Sequence, residues 1–338
     1  MEREGEPEST KVHEGTRDSE LLCSTFSPYP ILTLIVILLA LITFYLLVLG
    51  VVLQNRSKRG HSLLFHGRFL FYYVLISFWT VFLIPIFSLR PKNVVNSLLI
   101  APYARFVSFL LGVKWELRGR ELLDELAGRT RKDGTSKSVV FVANHQSTLD
   151  ALGLMHLWES FHPMAVVIKK EVFYVWPFGL AAYLAGAIYV DRSRGKNAFY
   201  SIEASAQRAA QDKIKILLFP EGTRNRSNVS WDGDDLSLKG LLPFKSGAFR
   251  AAISSGIPVV PIVFSPYVFI DEKRLLFGQG KAIVKILPEI STTSLTTEDI
   301  PALMEKTHKM MTREYELLRK ELLSEIPPDH LVIRKKVK

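Results

Sequence analysis

The chain has 338 residues, 48% of them hydrophobic, with a single cysteine and a formal charge of +10 at pH 7. That length suits one large domain, or one domain with a small accessory region. Cys23 alone allows no intrachain disulfide and no cysteine-rich metal site, and the positive charge comes without zinc-finger spacing, basic heptads or an aromatic sheet signature, which argues against nucleic-acid binding.

Residues 1–29 form a polar leader rich in acid (Glu2, Glu4, Glu6, Glu8, Glu14, Asp18, Glu20). Residues 31–53 then carry no charge and are long enough to cross a bilayer as a helix; without a signal-peptide layout the segment is expected to be retained. Residues 69–89 form a second apolar run, interrupted only by Pro85, in which Tyr72, Tyr73 and Trp79 suit an interfacial placement. The polar stretch 54–68 separates the two, and the pair reads as a membrane anchor. Residues 93–113, with Arg105 inside, read either as a surface-lying amphipathic helix or as the first helix packed on the body. Basic residues on both flanks (Arg56, Lys58, Arg59 and Arg68; Arg90, Lys92 and Arg105) leave the orientation open. Anionic lipid headgroups and acidic substrates account for the net charge. The expected organisation is a leader over 1–29, an anchoring region over 30–114, a catalytic body over 115–326 and a basic tail over 327–338.

Residues 118–137 are polar and charged, reading as a helix and a surface loop. Residues 138–143 are apolar without alternation, so this strand should be covered on both faces. Residues 163–168 form a second such strand, followed by Lys169-Lys170-Glu171 and an aromatic stretch with Trp176, Pro177 and Phe178. A third strand, 187–190, stops at Asp191-Arg192. Residues 197–211 form a helix with Ala198, Ile202, Ala206 and Ala209 along one face, and 215–219 the next strand. The turn-prone stretch 225–239 is expected to be a mobile loop beside Glu221. A helix over 245–254 ends at Gly256 in a left-handed cap. Strands over 258–264 and 281–287 follow, then an amphipathic helix with Leu303, Met304, Thr307, Met311, Tyr315, Leu318 and Leu322 on one face. The alternation predicts an α/β fold, a mixed central sheet flanked by helices, behind N-terminal hydrophobic membrane-anchoring helices.

Two segments carry chemistry. In Asn144-His145-Gln146-Ser147-Thr148-Leu149-Asp150 an imidazole and a carboxylate stand where a buried strand ends. A histidine can take a proton from an alcohol, and a carboxylate can hold its tautomer. Five residues apart, the pair diverges by about 140° on a regular helix. They converge if His145 lies in the turn and Asp150 in the first helical turn, with Ser147 or Thr148 as cap and Asn144 bracing the turn. No zinc-ligand pattern and no nucleophile elbow surround them, so neither a metal nor a serine nucleophile is expected. In Phe219-Pro220-Glu221-Gly222-Thr223-Arg224 the guanidinium suits phosphate oxygens, Gly222 permits close backbone approach, and Glu221 orients that arginine or a substrate hydroxyl. Arg192 is either a second anion contact or a surface ion pair; Lys169, Lys170 and Lys245 are further anion candidates.

Together with Gly186-Ala187-Ile188-Tyr189-Val190-Asp191-Arg192, Val259-Val260-Pro261-Ile262-Val263 and Leu242-Pro243-Phe244-Lys245-Ser246-Gly247-Ala248-Phe249, these segments resemble the 1-acylglycerol-3-phosphate acyltransferases of the glycerolipid acyltransferase superfamily, in its animal-type form. The resemblance implies that fold, with His145 as base and Asp150 as its partner. It assigns Glu221, Gly222, Thr223 and Arg224 to the acyl acceptor, sets Arg192 near a phosphate, and puts Pro261 in a strand supporting the acyl-donor side. Arg224 stands where members acting on lysophosphatidylcholine often carry cysteine, which favours a phosphomonoester. Ser246 departs from a lysine common in close relatives. The implied reaction moves an acyl chain from acyl-CoA, a co-substrate, to the sn-2 hydroxyl of 1-acyl-sn-glycerol-3-phosphate (lysophosphatidic acid). It gives phosphatidate and CoA at an endoplasmic reticulum bilayer, with no cofactor and no metal. Two glycosylation sequons beside Arg224, Asn225-Arg226-Ser227 and Asn228-Val229-Ser230, lean towards a cytosolic body. The alternatives are acylation of another lysophospholipid or of glycerol-3-phosphate, an acyl-CoA thioesterase, and a non-enzymatic lipid-binding membrane protein.

Overall fold

The computed structural model describes residues 58–129, 135–191, 193, 196–225, 230–232, 235–237 and 240–325, with Leu34, Leu38 and Ile42. The acidic leader, the basic tail and all of the first apolar run except those three helical residues lie outside them.

Helix α1 (Lys58–Ser88) opens the described chain and runs through Pro85 near its end, where the ring leaves one backbone hydrogen bond unmade. Residues 58–68, expected in a polar connection, are helical: Arg68 donates to the carbonyls of Phe277 and Leu111, so its charge is satisfied on the body. Tyr72 and Trp79 also turn towards the protein. Tyr72 is buried and donates to the Thr148 carbonyl, and Trp79 stacks on Tyr103. The outward stripe of α1 is instead Leu70, Tyr73, Phe82 and Ile86. A 3-10 turn (Val94–Leu99) and α2 (Ala101–Leu111) follow; Ala104, Val107 and Leu111 face the core while Phe106, Phe109 and Leu110 point outward. Of the two readings for this segment, packing on the body is the one observed. Within the described residues, Ser62–Ser88 and Val94–Leu111 are long and apolar enough to cross a membrane.

Seven strands make one sheet: β1 (Val113–Arg118), β2 (Val140–Ala143), β3 (Met164–Lys169), β4 (Ile188–Val190), β5 (Lys215–Leu218), β8 (Val259–Phe264) and β11 (Gly280–Ile286), in the order β1-β11-β8-β2-β5-β3-β4. β8, β2, β5, β3 and β4 run parallel; β11 lies antiparallel to β8, and β1 parallel to β11. Between them lie α3 (Arg120–Leu126), α4 (Leu149–His156), α5 (Trp158–Phe161), α6 (Phe178–Leu184), α7 (Lys196–Gln211) and α8 (Gly247–Ser255), and α9 (Ile300–Glu325) closes the fold. β2 is buried along its whole length, and its side chains divide by pleat. Phe141 and Ala143 join the core with α2 and α4, while Val140 and Val142 join Ala206, Ala209, Phe249 and Met311 on the opposite face. Gly256 caps α8 in the left-handed conformation, at φ 64°.

Two features differ from expectation. β1 went unread because Val-Lys-Trp-Glu-Leu-Arg is mixed in polarity, as suits an edge strand paired only with β11. The stretch expected as a loop contains an antiparallel hairpin, β6 (Ser230–Asp232) with β7 (Asp235–Ser237). A second hairpin, β9 (Ile270–Asp271) with β10 (Leu276–Phe277), precedes β11. Parallel strands deliver their C-terminal ends to one pole of the sheet, where ligands of open α/β sheets bind; the turns after β2, β3, β4 and β5 all lie there.

Candidate active site

His145 sits in the turn between β2 and α4, and Asp150 is the second residue of α4. The chain doubles back between them, so Nδ1 of His145 lies 2.6 Å from Oδ2 of Asp150. Asp150 is fully buried while the His145 side chain keeps 25% exposure. A carboxylate only accepts, so Nδ1 carries the proton and Nε2 is left as the basic nitrogen. The carboxylate is held from every side: it accepts the backbone N–H groups of Gln146 (2.8 Å) and Ser147 (3.1 Å) and the hydroxyl of Tyr267 (2.7 Å). Such donors make a buried negative charge tolerable. Burial and the adjacent Asp150 charge push the Tyr267 phenol well above its ordinary range, so it stays a donor.

The expected caps are filled differently. Thr148 precedes α4 but makes no side-chain cap; its Oγ accepts from Tyr73 (3.1 Å) and its carbonyl from Tyr72. Ser147 Oγ does accept the Leu149 N–H, at 3.3 Å. Asn144 does not brace the turn itself. It bridges to β8, exchanging both hydrogen bonds with Phe264, while Gln146 reaches the Ser265 carbonyl.

The loop after β5 meets this turn directly. The His145 N–H donates to Oε1 of Glu221 (2.8 Å), the Asn225 N–H donates to the His145 carbonyl (2.7 Å), and the imidazole stacks on Phe219 at 4.2 Å. Oε2 of Glu221 accepts the Leu242 N–H, so both its oxygens face the protein's own backbone. Burial pushes the Glu221 carboxyl up to about 7, against the two N–H groups that favour its charge. Gly222 is left-handed at φ 70°, and a Cβ there would meet Lys245 Cε at 2.9 Å, so the turn brings Lys245 onto the loop. Thr223 is exposed and Arg224 half-exposed. Among the described residues the Arg224 guanidinium pairs with no carboxylate.

Lys169 ends β3 and Lys170 begins the following 3-10 turn at the same pole, in ion pairs with Glu171 (3.4 Å) and Asp191 (3.2 Å). The Ser193 hydroxyl and the Lys170 ammonium hold the Asp191 carboxyl down to about 2. Arg192 lies outside the described residues. Pro261 pairs with Val142 in the central strands, clear of the turns. Among the described residues, no group of three or more His, Cys, Asp or Glu side chains could hold a metal ion. Tyr267, and the contact of the Tyr72–Tyr73 pair with Thr148, escaped the sequence reading. A tyrosine just beyond an apolar strand was the available signal for the first; the second needed the tertiary fold.

Residues 115–265 match the family model described as "Acyltransferase". The 1-acyl-sn-glycerol-3-phosphate acyltransferase alpha of Homo sapiens is 34% identical over 244 residues, 72% of this chain and 78% of the relative. The beta form of Homo sapiens is 32% identical over 65% of this chain and 71% of its own length. The 1-acyl-sn-glycerol-3-phosphate acyltransferase of Haemophilus influenzae is 31% identical over 54% and 70%. A crystal structure of the 1-acyl-sn-glycerophosphate (LPA) acyltransferase of Thermotoga maritima covers 86% of this chain and 97% of its own, at 19% identity and a TM-score of 0.49, too distant a likeness to argue from. With its acyltransferase domain, its apolar N-terminal helices and these relatives, the chain is a membrane-associated acyltransferase and belongs to the 1-acyl-sn-glycerol-3-phosphate acyltransferase family.

Proposed function

We propose that the protein transfers an acyl chain from acyl-CoA to the sn-2 hydroxyl of 1-acyl-sn-glycerol-3-phosphate, releasing phosphatidate and CoA. The observation that carries the reading is the donor-saturated Asp150 holding Nδ1 of His145, beside a loop that offers an arginine. Nε2 takes the hydroxyl proton as the acceptor oxygen attacks the thioester carbonyl. The C–O bond forms, the C–S bond breaks, and the thiolate leaves with the proton returned from Nε2. No covalent enzyme intermediate and no metal enters this route.

Arg224 holds the acceptor's phosphate, with Lys245, Thr223 and Gly222 around it and Arg192, Lys169 and Lys170 as outer anion contacts. Glu221 acts as a brace, tying the two loops through backbone N–H groups, rather than as a second base. The work takes place at the endoplasmic reticulum membrane with the body on the cytosolic side. Purified protein should therefore form phosphatidate from labelled acyl-CoA and lysophosphatidic acid, with far less product from lysophosphatidylcholine or glycerol-3-phosphate. Arg224→Ala should raise KM for lysophosphatidic acid about tenfold or more. Release of free fatty acid without an acceptor would instead indicate a thioesterase, and an acceptor preference indifferent to Arg224 would reject the phosphate contact.

A further inference from the structure

Four consecutive residues of the catalytic body, Phe173, Tyr174, Val175 and Trp176, are 38%, 73%, 57% and 46% exposed. Phe173 and Tyr174 end the 3-10 turn after β3 (Lys170–Tyr174), none of whose residues is buried, and Val175 and Trp176 follow it. This is a shaped projection. The Gly179 N–H donates to the Val175 carbonyl (2.7 Å) and Trp176 N–H to that of Tyr174 (3.1 Å). The Phe173 ring meets Tyr174, Tyr183 and Tyr189 edge-on, and Tyr189 donates to the Gly179 carbonyl. A Cβ on Gly179 would sit 2.1 Å from the Phe173 carbonyl oxygen, so the turn is seated directly on the start of α6. The fold thus spends a glycine and several hydrogen bonds on holding apolar side chains outward, where water opposes them.

The position of the projection names its occupant. β3 is parallel to β5, so the turn lies at the pole that carries His145 and Arg224. α6, which it leads into, packs Ala181, Leu184 and Ala185 against Leu83, Ile84 and Phe87 of α1, and Asn93 and Asn96 bond the Leu184 carbonyl. Just beyond that seam α1 exposes Phe82 and Ile86, and Leu89 is exposed directly after it. The aromatic turn therefore continues the apolar face of the membrane-associating helix into the catalytic body. Basic residues flank it: Lys169 and Lys170 are exposed on one side, and Lys92 lies over the Tyr183 ring at 5.0 Å on the other. Tryptophan and tyrosine bordered by lysine is the chemistry of the headgroup level of a bilayer.

We infer that the segment 173–176 inserts into the bilayer as a second membrane contact, separate from the N-terminal helices, and seats the mouth of the active site on the lipid surface. A second copy of the chain or a protein partner would cover the same side chains without placing them in lipid. The test uses the full chain with Cys23→Ser, carrying Tyr174→Cys, Val175→Cys or, as reference, Glu305→Cys on the exposed face of α9. Each is spin-labelled and reconstituted in vesicles of phosphatidylcholine with phosphatidylserine. Labels at 174 and 175 should be several-fold more accessible to oxygen than to a water-soluble nickel complex, relative to the label at 305. Labels at 174 and 175 that resemble 305, or that are shielded from oxygen and nickel alike as under a protein partner, would overturn the inference.

Discussion

Asp150 accepts hydrogen bonds from an imidazole, two backbone N–H groups and a phenol, and the last of these is the separable one. Tyr267→Phe keeps the ring, which packs edge-on to Trp115 and stacks on Phe269, and removes only the hydroxyl. A hydrogen bond to a charged group contributes about 1.5–3 kcal/mol. Part of that loss should appear in stability and part in kcat, which is expected to fall several-fold with KM for the acceptor little changed. A purely structural tyrosine would leave kcat in place. The convergence of His145 and Asp150 was legible from their spacing once a turn was placed between them. The identity of the donors was not, because Tyr267 comes from 117 residues further along the chain.

At the scale of elements, α1 is both an apolar helix long enough to cross a membrane and a support of the candidate site. Tyr72 and Tyr73 grip the carbonyl and hydroxyl of Thr148, the residue just before α4. Each such bond contributes about 1 kcal/mol. The double variant Tyr72→Phe/Tyr73→Phe should lower kcat several-fold while the melting temperature drops by only a few degrees, as checked by kinetics and calorimetry in one detergent. An unchanged kcat would make the contact incidental to catalysis. The apolar strands and the amphipathic helix α9 were readable because burial on both sheet faces leaves unbroken valine-rich runs, and a single buried face leaves a three-to-four spacing. β1 was not, since an edge strand needs no such run. Nor was the helical character of residues 58–68: their polarity looked like a connection, whereas Arg68 finds its acceptors only in the folded body.

In the proposed reading the molecule divides its labour between the two poles of the sheet. The pole described above carries the proposed chemistry; at the other, Lys215 starts β5 fully buried, bonded to the Ser136 hydroxyl and the His162 carbonyl. Burial, with Arg129 adding to it, pushes its ammonium down to about 8. The folded state therefore binds fewer protons than the unfolded chain between about pH 8 and the ordinary 10.5, and stability should rise with pH across that window. Below it both states are protonated and the full cost applies. Lys215→Met should stabilise the protein by roughly 1–2 kcal/mol near pH 7, after the two lost hydrogen bonds are counted, and this gain should vanish towards pH 10.5. Turnover should be unchanged, since the residue lies at the far pole; a gain of stability with a loss of rate would contradict that division.

The account rests on His145 as the base, and the most direct measurement is single-turnover acyl transfer from acyl-CoA to lysophosphatidic acid by purified His145→Ala with a wild-type melting temperature. The expected result is a fall of about a thousandfold or more, within the range that a positioned general base contributes. A folded variant transferring acyl chains within tenfold of the wild-type rate would contradict it.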